Sequence, residues 1–393
     1  MDIYLVGGAV RDTLLGLPVK DRDWVVVGAS PQHMLALGYV PVGKDFPVFL
    51  HPKTKEEYAL ARTERNSAPG YKGFAVHAAP DVTLEQDLAR RDLTINAIAV
   101  SREQLDAHGN FDPATARLDD PFHGQRDLQQ RWLRHVTDAF HDDPVRILRL
   151  ARFAARFADF RVAEETQAMM GSMVASGEVD ALVPERVWQE LARGLMEDRP
   201  SRMLQVLDSC GALAHLLPEL FETSHAEVAS DTLAILTDHT ARSQAPLTVR
   251  FACLCLPIAD DQARVHLFER LRAPNDCRDL ALLAARERAA VDHAMALDGA
   301  ASVQLLERCD AFRKPARFHE LLQTCAIAAT APAGDDLLAY TPLSRLQGAL
   351  SSAQRVPTDA IARQAMASGH SGPQVGAAIH AARVKAVGAY IAG

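Results

Sequence analysis

Apolar positions in the first 140 or so residues fall in short continuous or alternating runs, and beyond that point they recur every three to four residues. The change of period predicts an α/β region followed by an almost wholly helical one. Ile3 to Val6 is a short apolar strand, Gly7-Gly8 a turn, and Ala9 to Leu15 the start of a helix. VKDRDWVVVG, residues 19–28, reads as a second strand whose Trp-Val run seeks a core. Ser30-Pro31 supplies an N-cap with proline at the first helical position, and Gly38 stops that helix after about two turns. Residues 48–61 read as two strands around a Lys-Thr-Lys turn, and TERNSAPGYKGF, residues 63–74, as a looser segment. Thr83 and Gln86 form a capping box that opens a helix carrying Arg90, Arg91 and Asp92. Helical spacing runs from Asp143 to Phe157 and continues through VWQELARGLM and SRMLQVLDSCGALAHLL. Residues 328–335, AATAPAGD, read as a linker or loop before an alanine-rich helical tail.

Length adds a constraint that periodicity lacks. A chain of 393 residues exceeds the ~250 to 300 at which one core stops growing, so at least two domains are expected. With 48% hydrophobic and 23% charged residues and no apolar run of about 18, it reads as a soluble globular protein with no membrane partner. The opening MDIYLVGGAVRD lacks the basic start and long apolar stretch of a signal peptide, so a cytoplasmic location is expected. Six cysteines, none before Cys210 and no two spaced as C-x-x-C, predict reduced thiols rather than a disulfide framework or structural zinc. The net charge of −8 argues against coating a polyanion with the whole surface and leaves room for a local basic patch.

Three stretches carry candidate chemistry. Alternation along a strand places Asp21 and Asp23 on one face, where two hard carboxylates suit a divalent cation such as Mg²⁺. Taken alone, D-x-D equally describes solvated turn residues. Gly7-Gly8, with Arg11 one turn on, lets backbone approach an anion at a helix start or simply makes a tight turn. In DDPVRILRLARFAAR, residues 142–156, Arg146, Arg149, Arg152 and Arg156 share about a third of the helix circumference. Few acids follow Asp143 locally to pair with this stripe, so a phosphate or nucleotide partner competes with ordinary ion pairing.

LVGGAVRD, then KDRDWVVVG, RRDLTINA and DDPVRILRLARFAARF, in that order, closely resemble the bacterial tRNA nucleotidyltransferases, class II CCA-adding enzymes of the polymerase β superfamily. The likeness runs from residue 1 to about 220 and takes in VPERVWQEL at 183–191. It implies an α/β nucleotidyltransferase palm, a mixed sheet with helices, followed by an all-α neck, body and tail. The implied layout is a head or palm over 1–140, a helical neck with the base-reading motif and RNA-binding region over 141–215, and a body and tail over 216–393. In that family the first motif holds triphosphate and metal, which transfers here to Gly8, Arg11, Asp21 and Asp23. By the same likeness Arg91 contacts phosphate, Asp92 the ribose, Asp143 and Arg146 the incoming base, and Arg149 the nucleotide. A carboxylate beside a guanidinium complements the amino donor and ring-nitrogen acceptor that cytosine and adenine share, and opposes guanine and uracil. The implied reaction is template-independent addition of C, C and A to the 3′ end of tRNA from CTP and ATP with Mg²⁺ at Asp21 and Asp23, releasing pyrophosphate. Contacts to the tRNA acceptor arm make binding steeply salt-dependent, and a monomer is expected.

Some features depart from the family or leave a choice. Asp142 stands where Glu is usual. Relatives with a phosphohydrolase body carry His-Asp in a stretch like F-A-x-L-C-H-D, whereas this chain reads FACLCLPIADD at 251–261, with Leu256-Pro257 in that place; a degenerate body without phosphohydrolase activity is expected. The His141-Asp142 dipeptide reads as coincidence. Glu57 is either a third metal carboxylate or an exposed hairpin residue, and the 63–74 segment matches one that full CCA-adding enzymes keep. The rivals are a poly(A) polymerase of the same superfamily and a catalytically inactive RNA-binding relative.

Overall fold

The computed structural model describes residues 1–42, 47–66, 74–221, 226–331 and 336–393. These fall into two compact units, Met1–Leu191 with Arg202–Leu216, and Ala192–Ser201 with Leu217–Gly393. The α/β part and the helices after it share the first unit, so compactness draws no line near residue 140.

The first unit is organised by a mixed seven-stranded sheet of β1 (Asp2–Val6), β2 (Asp23–Val27), β3 (Val40–Val42), β4 (Val48–Leu50), β5 (Glu57–Leu60) and two later strands. Outside it, β6 (Thr63–Asn66) pairs with β7 (Phe74–His77), and the two-residue strand Trp132–Leu133 pairs with Arg161–Val162. The main sheet is completed by β8 (Ala99–Ser101) and β9 (Leu118–Asp119), in the order β3-β4-β5-β2-β1-β8-β9. The pair at its centre, β1 and β2, runs antiparallel with Val6 opposite Asp23, and β2 runs parallel to β5 with Asp23 opposite Glu57. Trp24, Val25 and Val26 are all buried because both faces of β2 are covered. On one face Val6, Val25 and Ala99 pack with Val82 and Leu88; on the other Trp24 stacks on Tyr58 at 5.3 Å.

Helices α1 (Gly8–Leu14), α2 (Pro31–Ala36), α3 (Leu84–Ala89) and α4 (Gly124–Gln130) accompany the strands. Ser30 caps α2 by accepting from the His33 N–H, with Pro31 at the first position, and the Thr83–Gln86 capping box opens α3. That helix ends at Ala89, so Arg90 to Asp92 follow it rather than ride on it, a correction to the expected helix. The 63–74 segment is also more regular than expected at its flanks, which are β6 and β7, while residues 67–73 lie outside the described residues. Beyond the sheet come α5 (Val145–Arg156), α6 (Glu164–Ala175), α7 (Pro184–Leu195), α8 (Pro200–Ser209) and α9 (Ala212–Leu216).

The second unit is helical. Leu247–Cys255 is its most buried helix and packs on Asn275–Asp292 and Pro315–Thr330. All six cysteines are free and buried, and burial pushes the Cys253, Cys277 and Cys309 thiols up to about 12, which makes them core residues rather than ligands. Of the expected 328–335 linker, residues 332–335 lie outside the described residues; Pro315–Thr330 and Ala331 precede it as helix and cap. Among the described residues no helix is long and apolar enough to cross a membrane.

Candidate active site

The site is built where β1 ends and β2 begins. Gly7 follows β1 with φ 69° and ψ −131°, a conformation that L side chains rarely adopt, and turns the chain into α1. A Cβ there would lie 3.2 Å from Arg91 Nη1 and 3.8 Å from Asp23 Oδ2. Glycine therefore keeps open a slot with a carboxylate on one side and a guanidinium on the other. Asp23 begins β2, but Asp21 lies before the strand, so the shared strand expected for the pair is replaced by a strand residue and its irregular neighbour two places earlier. The reason is that β1 offers no partner beyond Val6, where Gly7 turns away.

Although Asp23 is exposed, protein atoms crowd its carboxylate: desolvation raises its pKa, Arg91 and Arg149 pull it down, and Asp21 pushes it up. A carboxylate that is desolvated and faces a second one is better satisfied by a cation than by water. The oxygen-only pair beside the open slot fits Mg²⁺. Glu57 stands opposite Asp23 in the ladder and is exposed, yet no group of three potential ligands converges among the described residues.

Arg11 is buried, its guanidinium 5.0 Å and 5.2 Å from the centres of the Phe153 and Phe157 rings, and it donates to Asp12 at 2.8 Å and Asn96 at 2.6 Å. Burial lowers its pKa and Asp12 opposes the shift. Arg91 donates to Asp87 at 3.2 Å and to the Asn96 carbonyl at 3.4 Å. Asp92 uses both oxygens fully: one accepts from the Leu93 N–H at 2.9 Å and Asn96 Nδ2 at 3.0 Å, the other from Arg149 Nε at 2.9 Å and Nη2 at 2.8 Å. Burial alone would raise Asp92, but Arg149 and these hydrogen bonds hold it well below the usual carboxylate range.

Asp143 and Arg146, the expected base-reading residues, lie side by side, with the Arg146 N–H donating to the Asp143 carbonyl at 3.0 Å, and their side chains have other partners. Asp143 forms a two-pronged ion pair with Arg186 of α7, at 3.0 and 2.6 Å, while Arg146 donates to the Ala139 and Arg90 carbonyls at 2.7 and 2.6 Å. The rest of the stripe is tied to acids far away in sequence: Arg152 to Glu190 at 2.6 Å and Arg156 to Asp12 at 2.9 Å. Acids supplied by α1, the 90–92 turn and α7 pair with three of these arginines, so a shortage of acids near in sequence gives phosphate no special claim on them. Asp12, Asp87, Asn96, Arg186 and Glu190 are thus residues of the site's frame that sequence reasoning missed. All but Asp87 had a signal, their place in the LVGGAVRD, RRDLTINA and VPERVWQEL stretches.

Comparisons with known proteins converge on one group. The family described as "Poly A polymerase head domain" matches residues 3–134, and "Probable RNA and SrmB- binding site of polymerase A" matches 159–223. A "Multifunctional CCA protein" from Variovorax paradoxus is 56% identical over 416 residues, covering 99% of each chain. Its counterpart from Polaromonas naphthalenivorans is 56% identical over 414 residues and 98% of each chain. Among solved structures, the Thermotoga maritima CCA-adding enzyme complexed with tRNA superposes with a TM-score of 0.67 at 23% identity, over 99% of this chain and 87% of that one, a likeness of fold.

Proposed function

We infer the chemistry from the premise that this chain belongs to the bacterial CCA-adding enzymes, and that it therefore completes the 3′ end of tRNA with C, C and A. CTP and ATP are the nucleotides and tRNA the acceptor. Poly(A) synthesis is not favoured, because the relatives matched along the full chain are CCA proteins.

Asp21 and Asp23 are assigned to Mg²⁺, and the observation that carries this is the glycine-kept slot between Asp23 and Arg91. When bound, a Mg²⁺ pair supplies Lewis acidity that eases deprotonation of the tRNA 3′-hydroxyl and charge on the departing pyrophosphate. The chain's own residues bind and orient. Gly7 and Gly8 leave room for triphosphate oxygens next to backbone, and Arg91 stands at the slot's edge as their cationic partner. Arg11 acts from behind: buried against the Phe153 and Phe157 rings, it fixes Asn96 and through it Asp92. Asp92 has about four acceptor sites and all are used, so contact with a ribose hydroxyl needs Arg149 to leave one oxygen. A triphosphate is the ligand that would draw Arg149 away, which couples its two assigned roles. Base choice is assigned to Asp143 and Arg146; both are engaged in the described conformation, so a docking base exchanges partners with Arg186 and the carbonyls.

The test uses purified protein, a tRNA transcript ending at the discriminator base, Mg²⁺, and each nucleoside triphosphate singly and mixed. Ordered addition of C, C and A is expected, and Asp21→Asn or Asp23→Asn should slow it at least about 10²- to 10³-fold. A long A tail would overturn the assignment. Asp143→Ala should relax base choice more than it weakens triphosphate binding; intact discrimination would remove Asp143 from base reading.

Phosphohydrolase activity is proposed to be absent, although the relatives are named multifunctional. Supporting this, Leu256 caps the helix Leu247–Cys255 where His-Asp would stand, and an alignment of 416 residues against a chain of 393 leaves segments of the relative without a counterpart. Hydrolysis of p-nitrophenyl phosphate or a 2′,3′-cyclic nucleotide by the purified chain with added divalent metals would contradict it.

A further inference from the structure

We propose that Arg22, the residue between the two metal-assigned aspartates, is a positioning residue that fixes the pair by clamping it to the loop at 106–110; this rests on the metal reading of Asp21 and Asp23. The first β2 residue in register is Asp23, opposite Val6 and Glu57, so the sheet ladder holds Asp23 and does not reach Asp21. Two carboxylates that must converge on one cation need a fixed separation, and one of them sits on irregular chain. Arg22 supplies the missing tether. Its Nε donates to the Gly109 carbonyl at 3.2 Å and its Nη2 to Asn110 Oδ1 at 2.8 Å, a contact spanning more than 80 residues of sequence.

The receiving loop is built to stand still. The Asp106 N–H donates to the Asn110 carbonyl at 2.8 Å, and Asp106 Oδ1 accepts the His108 and Asn110 N–H groups at 2.8 and 2.9 Å. Gly109 has φ +76°, and a Cβ there would sit 3.2 Å from Arg22 Nε. The loop thus presents a carbonyl and an amide oxygen as a preformed seat for a guanidinium, and only glycine admits the guanidinium this close.

Charge and geometry predict opposite outcomes. Were Arg22 merely a positive charge beside the pair, its removal would tighten cation binding. As a tether, its removal loosens it. The experiment is Mn²⁺ binding measured by water-proton relaxation, without turnover, in the presence of a CTP analogue with a methylene between the α and β phosphorus atoms. Arg22→Ala should raise the Mn²⁺ dissociation constant about tenfold and Asn110→Ala about threefold, with the double variant no weaker than Arg22→Ala alone. Arg22→Lys, which keeps the charge and one donor, should recover part of the loss. Unchanged or tighter binding in Arg22→Ala overturns the proposal, as does full additivity with Asn110→Ala. Should Arg22→Ala fail to fold, Asn110→Ala and Gly109→Ala carry the test. Asp23→Asn separates the two readings: if it too binds Mn²⁺ normally, the metal assignment itself fails, whereas its loss of Mn²⁺ with Arg22→Ala unaffected removes the tether alone.

Discussion

At the scale of single residues, Asp92 is where stability and function pull on the same atoms. Its native pKa is depressed, so the ionised form is favoured by folding, and the stabilisation is present above the ordinary carboxylate value of ~3.9 and lost as pH falls through the lower native one. Asp92→Asn should therefore cost about 2 kcal/mol near neutrality, discounted for the partial exposure of Arg149, and the gap from the native protein should shrink steadily below about pH 4. Urea midpoints of both proteins from pH 7 to pH 3 check this; a constant gap would show that shape, not charge, is what Asn loses. Gly7→Ala probes the slot instead. It forces a side chain into a left-handed backbone at ~1 to 3 kcal/mol and places a methyl between Asp23 and Arg91, so CTP incorporation should fall more than tenfold while tRNA binding persists. Filter-binding and single-turnover assays separate the two effects. Residues of this kind were legible where the signal is local, as with the Gly7-Gly8 turn that follows β1. What was illegible is partnership: nothing near Arg152 or Arg156 in sequence announces Glu190 or Asp12, because the chain brings them together only in three dimensions.

Elements were read well where their ends carry chemistry and poorly where they end by tertiary circumstance. The Ser30-Pro31 start and the Thr83–Gln86 box were legible because capping is local. The start of β2 was not: hydrophobicity extends the expectation to a ten-residue stretch, whereas the ladder begins at Asp23 because β1 ends at Val6. An element contact that sequence gave no hint of is the seat of α4. A Cβ at Gly124 would overlap the Thr94 carbonyl oxygen and lie 2.8 Å from Ile98 Cγ1, so α4 rests directly on the turn at 94–96 that carries Asn96. Gly124→Ala must push that turn away. About 2 to 3 kcal/mol of overpacking cost is expected, together with weaker nucleotide binding through Asn96 and Asp92, and thermal melting with and without CTP measures both. If the melting point drops and CTP affinity holds, the turn's influence on the site is refuted.

For the whole molecule, the length-based expectation of more than one domain matches the two compact units, while the head-to-neck boundary had no counterpart in compactness, because α5 is tied by Arg149 and Arg156 to Asp92 and Asp12. The same ties decide how the chain must meet a polyanion. A net charge of −8 gives no general attraction, so affinity for tRNA rests on a limited set of local contacts. Arg152 and Arg156 are not counted among them, since handing either to a phosphate would break a short ion pair with Glu190 or Asp12, both largely buried. The logarithm of the tRNA binding constant should then fall against that of salt with a slope of about −3 to −4, or roughly a hundredfold between 50 and 200 mM. Arg152→Gln and Arg156→Gln should each lower the melting temperature and leave that slope unchanged. A contact arginine would behave in the opposite way, reducing the slope by nearly one with little effect on melting. Titrations at four or five salt concentrations distinguish the two patterns, and a reduced slope in either variant would return the α5 stripe from the protein's interior to its RNA-facing surface.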